Sequence, residues 1–167
     1  MLMDILPLLR GYSWNVKDID VETPLTVGKP LELFRTHHPG YLINFALVVN
    51  NPLAEIELQW FQGRMPRKLT GKPYGLFMGG ATEWGGFLYS PLYDTTLKLY
   101  TIAYCPVSTQ LLSWDKDCFM KLHANAAGDK IVDYAHTAIV IDDMEEFKKS
   151  WREIFATKIE IERLIRR

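Results

Sequence analysis

In residues 55–60, Ile56, Leu58 and Trp60 alternate with Glu55, Glu57 and Gln59. A strand turns successive side chains to opposite faces, so this stretch predicts a strand with one dry and one wet face. Residues 18–27 repeat the alternation, with Ile19, Val21, Leu25 and Val27 set against Asp20, Glu22 and Thr26. Pro24 interrupts it, which predicts an edge strand or a bulge. Residues 41–49 are apolar at nearly every position and predict a central strand covered on both sides. Further strands are predicted at 31–35, 74–78, 86–89, 96–104, 118–123 and 131–141. Turn formers stand between them: Gly28 with Pro30, Pro39 with Gly40, Asn50 and Asn51 with Pro52, Gly79 with Gly80, and Gly128. About eight or nine short strands without alternating helices predict a mainly β fold. Its first form is an antiparallel β-sandwich of jelly-roll type, its second a Greek-key barrel.

After Ile141 the period changes. Asp142 followed by Glu145 reads as a capping box with Asp at the N-cap. Met144, Phe147, Trp151, Ile154, Ile161 and Ile165 follow at helical spacing, and Phe155, Ile159 and Leu164 widen the stripe. One amphipathic helix over about 143–166 is predicted, ~36 Å long at ~1.5 Å per residue. Arg163, Arg166 and Arg167 suit the negative end of its dipole. The organisation expected is an N-terminal arm (1–17), a β-sandwich domain (18–141) and a C-terminal helix (142–167).

Composition narrows the function classes. With 167 residues, 48% of them hydrophobic, the chain suffices for one domain with a sizeable core. Nineteen Lys and Arg stand against twenty Asp and Glu, a net charge of −1. No global basic field results, so nucleic acid and anionic membrane are disfavoured as partners. No apolar run is long enough to predict a membrane span. The leucine-rich start carries Asp4 and Pro7 and lacks a basic region, so no signal peptide is expected. The expectation is a soluble protein made in a cytoplasm. Cys105 and Cys118, outside any CxxC spacing, are expected as free buried thiols rather than a disulfide.

Chemistry-bearing patterns are sparse. None of the serines lies in a G-x-S-x-G elbow, and the glycine pairs follow neither dinucleotide nor P-loop spacing. His37 and His38 sit side by side at a turn, where their side chains diverge. His123 and His136 fall in different strands. No catalytic, cofactor-binding or metal-ligating residues are assigned, and no cofactor is expected.

Three features suit association instead. Arg64, Arg67 and Lys68, with Lys72, form an acid-free cationic stretch whose neighbouring Gly63, Pro66 and Gly71 predict a loop. Trp84 sits at a glycine-flanked tip with Tyr89 and Tyr93 nearby, an expensive place for a large aromatic without a partner. Ile159, Ile161, Leu164 and Ile165 give the end of the helix an apolar stripe suited to a groove or an oligomer axis. The function expected is that of a non-enzymatic structural or assembly subunit, homo-oligomeric, with a virion part (capsid, decoration, turret or tail) as one form. The alternative is a carbohydrate- or other ligand-binding module, with Trp84 and Trp114 as stacking platforms.

Overall fold

The computed structural model describes residues 6–71, 87–89, 93–94, 99–105 and 112–165. The apolar run around residue 45 becomes β4 (Gly40–Val49), and its position in the sheet explains its composition. One edge of β4 pairs antiparallel with β12 (Lys130–Val140); β9 (Leu99–Cys105) takes Phe45 to Val49 on the other, and β10 (Leu112–Trp114) takes Gly40 to Leu42. The sheet runs β1 (Ser13–Ile19), β12, β4, β9, β7 (Phe87–Tyr89). Two short strands complete its eight: β2 (Thr23–Pro24) on β12 and β8 (Tyr93–Asp94) on β9. A second, antiparallel sheet has four strands in the order β3 (Leu31–Thr36), β11 (Lys116–His123), β5 (Glu55–Gln62), β6 (Met65–Gly71).

The two sheets share one core. Leu42, Phe45, Leu47, Val49, Ile131 and Tyr134 from the first cluster with Leu33, Ile56, Leu58, Met120 and Leu122 from the second. Side chains of this size contribute about 1.5–3 kcal/mol each when fully buried, so the alternation seen at 55–60 is the main stabilising feature of its strand. Gly40 has a packing reason: a Cβ there would strike the Ile139 carbonyl and the Trp114 ring. At the turn before β12, the buried Asp129 carboxylate accepts from the backbone N–H groups of Asn125 and Ala126 and from the Asn51 amide, at 2.6–2.9 Å. Burial pushes its pKa up, but these three donors outweigh that and hold it below the ordinary value.

Two strand expectations are corrected. The alternation over 18–27 is split: Asp18 and Ile19 end the edge strand β1, and of the rest only Thr23–Pro24 form a strand, β2. Arg67 and Lys68 of the cationic stretch lie in the strand β6 rather than a loop, while Arg64 is at the turn before it. A proline fits there because β6 is an edge of its sheet, where a missing N–H need not break the ladder. The turn before it is a two-residue loop with Gly63 first, at φ +60°.

Residues Met1–Ser13 and Ile141–Arg167 form a compact unit of their own, distinct from Trp14–Val140. Its helix α1 spans Met144–Ile165. The cap lies one residue beyond the expected position: Asp143 Oδ1 accepts from the Glu146 N–H at 3.0 Å. That geometry requires the N-cap side chain to reach the N3 amide, and Asp142 is one place too early. Arg10 lies along the helix, its guanidinium pairing with Glu146 and Glu153 and its N–H donating to Ser150 Oγ. Phe147, Trp151 and Phe155 form a ladder at i, i+4 spacing, with centroids 6.2 and 5.3 Å apart. No helix among the described residues is long and apolar enough to cross a membrane.

Candidate functional site

The sheet edges are unequally protected. Exposed backbone on an edge strand invites pairing with other chains, and proteins blunt it with short strands, proline, charge or bulges. At β7 the edge is three residues long, and β6 carries Pro66 with Arg67 and Lys68. β3 has a bulge: the pairing with β11 skips Leu33, so Leu33 and Phe34 both turn inward. The Lys17 ammonium then donates to the carbonyls of Glu32 and Leu33, at 3.4 and 3.2 Å. β1 is different. It runs for seven residues with Trp14 48% and Val16 67% exposed on its outward side.

The inward side of β1 borders a cleft of about 210 Å³, lined by Asn15 and Lys17, by the β3 segment from Glu32 to Arg35, and by His136 of β12. His136 is 1% exposed yet has both ring nitrogens bonded: Nε2 to Asn15 Oδ1 and Nδ1 to the Tyr134 hydroxyl, each at 2.8 Å. Because Asn15 Oδ1 only accepts, Nε2 carries the proton and Nδ1 accepts from Tyr134. Phe34 packs edge-on against the ring, with centroids 5.0 Å apart. Burial, aided by the Lys17 charge, pulls the His136 pKa down to about 4, so the imidazole is neutral at pH 7. Burial likewise raises the Tyr134 hydroxyl well above its ordinary value. Glu32 and Arg35 pair at 2.7 Å on the rim.

The outer face of the four-stranded sheet carries a second constellation. Register sets Phe119 between Arg35 and Gln59, and Lys121 beside Glu57. Arg35 and Lys121 lie over the Phe119 ring at 5.4 and 4.7 Å, and Lys116 lies over Phe61 at 4.8 Å. Glu57, only 7% exposed, accepts from Lys68 Nζ at 2.7 Å and Gln59 Nε2 at 2.6 Å. Burial raises its pKa, but the Lys68 and Gln59 bonds, with the nearby charges, bring it below the ordinary value. His123 Nε2 stands 3.6 Å from Glu57, outside hydrogen-bond reach.

The predicted partner residues are thereby dispersed. Arg64 is at the β5–β6 turn, Lys68 pairs with Glu57, and Arg67 stands opposite Trp60, on the other face from Lys68. Tyr89 ends β7 and Tyr93 begins β8, while Trp84 and Lys72 lie outside the described residues. Ile159, Ile161, Leu164 and Ile165 all fall within α1. Trp114 is corrected as a stacking platform: it is 2% exposed, packs against Phe34, and donates from Nε1 to the His38 carbonyl. Cys118 is a free buried thiol, its pKa raised by burial. His37 pairs with Asp117 at 2.7 Å, where Asp117 takes φ +36° at the β11 bulge. His123 and His136 stand in different sheets. Among the described residues no three His, Cys, Asp or Glu side chains gather as a metal site. Sequence reasoning missed the cleft because Asn15 and Lys17 fell in the presumed arm; the only signal was the alternation of Trp14 and Val16 with them.

No protein-family model matches the chain, and no curated protein matches it significantly. The functional reading therefore rests on the surfaces themselves.

Proposed function

We propose that this protein is a non-enzymatic assembly subunit that associates with further copies of itself, its two sheets packed as a jelly-roll-like sandwich. A virion component is one concrete form, by analogy with the use of such folds in particles. The observation that carries the reading is the long edge strand β1 with Trp14 and Val16 exposed beside each other's neighbours. A second β1 is a fitting occupant. Antiparallel pairing centred on Val16 opposes Val16 to Val16, Trp14 to Asp18 and Asn15 to Lys17, with no like charges facing. The apolar end of α1, with Ile159, Ile161, Leu164 and Ile165, supplies a second contact.

Light scattering on the full chain tests this. A defined oligomer is expected, and Val16→Lys, which sets two ammonium groups against each other at the centre of the pairing, shifts it to monomer with an unchanged melting temperature. Removal of residues 159–167 from the otherwise wild-type chain also lowers the oligomer mass in the same assay. A wild-type chain that stays monomeric across the accessible concentrations overturns the reading. An oligomer indifferent to Val16→Lys removes β1 from it. In that case glycan binding by the purified chain is the measurement that decides for a carbohydrate module.

A further inference from the structure

We propose that the cleft between β1 and β3 is a binding site for a small oxyanion, a carboxylate or phosphate group, held by Asn15, Lys17 and Arg35. Three observations converge on it. First, Asn15 is fixed by its contact with His136: Oδ1 accepts from Nε2–H, which leaves the amide NH2 with two donors and no acceptor among the described residues. Second, Lys17 has no carboxylate partner among the described residues. Its ammonium uses two protons on the bulge carbonyls of Glu32 and Leu33 and retains a third. Third, the one acid on the rim, Glu32, is neutralised by Arg35, whose Nη1 remains unused. The wall thus presents ammonium, amide and guanidinium donors around a net positive charge, and charge-assisted bonds of this kind select oxyanions.

The space agrees with that chemistry. About 210 Å³ accommodates a compact anion with some of its hydration. The bulge at Leu33 coincides with the two carbonyls that Lys17 holds, and Glu32 to Arg35 line the cleft beside it. His136 forms the floor as a neutral ring. It does not touch the ligand; it positions Asn15, and its titration reports occupancy, because an anion beside Lys17 offsets the charge that helps keep the imidazole unprotonated.

The experiment follows the His136 imidazole by NMR in the full chain while inorganic phosphate, and separately acetate, is added at constant ionic strength against chloride. Saturable shifts in the low-millimolar range or tighter are expected, with a rise in the His136 pKa at saturation. Arg35→Gln and Lys17→Gln each weaken binding by tenfold or more, whereas Lys116→Gln, which does not line the cleft, leaves it unchanged. Arg35 is on the surface, so its variant folds even if Lys17→Gln does not. Response to phosphate but not acetate, or the reverse, identifies the group. Shifts that chloride reproduces, or that persist undiminished in Arg35→Gln, overturn the proposal.

Discussion

His136 shows how a single buried side chain acquires meaning from its neighbours. A histidinium at this position has two donors to place, Nε2–H on Asn15 Oδ1 and Nδ1–H on a Tyr134 hydroxyl that donates to the neutral ring. Protonation therefore forces the Tyr134 hydroxyl to turn from donor to acceptor, buries a charge and sets it near Lys17. The folded pKa, about 4, lies below the unfolded value near 6.5. Between these values the unfolded chain binds the extra proton, so the contribution is complete above pH 6.5 and is lost as pH falls toward 4. At about 1.4 kcal/mol per unit this amounts to about 3 kcal/mol. Urea unfolding at pH 7, 5.5 and 4 should show that decline, and His136→Gln should flatten it. Asp129 and Glu57, with lowered carboxyl pKa values, act in a separate window: their contribution is present above their ordinary values and is lost only as pH falls through the lower folded ones.

At the scale of elements, the edges and the cap carry the local logic. Lys17 is both a β1 residue and the cap of the bulged β3 edge, so one side chain secures the borders of two sheets. The start of α1 gives a sharper test of position. Asp143 is the residue whose carboxylate bonds the Glu146 amide, while Asp142 is exposed without that bond. Asp143→Ala should cost about 1 kcal/mol and Asp142→Ala less than about 0.5 kcal/mol, measured as differences in denaturation free energy. Equal costs would mean that the helix begins one residue earlier. Gly11 belongs to the same junction: at φ +76° a Cβ would meet the Asp143 carbonyl and the Phe147 amide.

For the β body, the common core makes the two sheets one cooperative structure. Leu58 is 1% exposed on β5 and belongs to the same cluster as Leu47 and Tyr134 of the other sheet. Leu58→Ala should destabilise by about 3 kcal/mol. Amide exchange should accelerate equally in β12 and in β5; acceleration confined to β5 would show that the sheets open independently.

Side-chain patterning alone determined the strand-rich body, the central place of β4 and the terminal helix. Those features follow from burial periodicity, which is a local property: two residues per repeat on a strand, 3.6 on a helix. Tertiary structure decided the rest. Arg64, Arg67 and Lys68 are consecutive enough to read as one patch, but strand register sends Arg67 and Lys68 to opposite faces. Trp114 reads like any loop aromatic until β4 and β3 enclose it. The cleft joins Asn15, Arg35 and His136 across a hundred residues and more of sequence, and no spacing rule links them. Only the placing of one sheet edge beside another makes them neighbours.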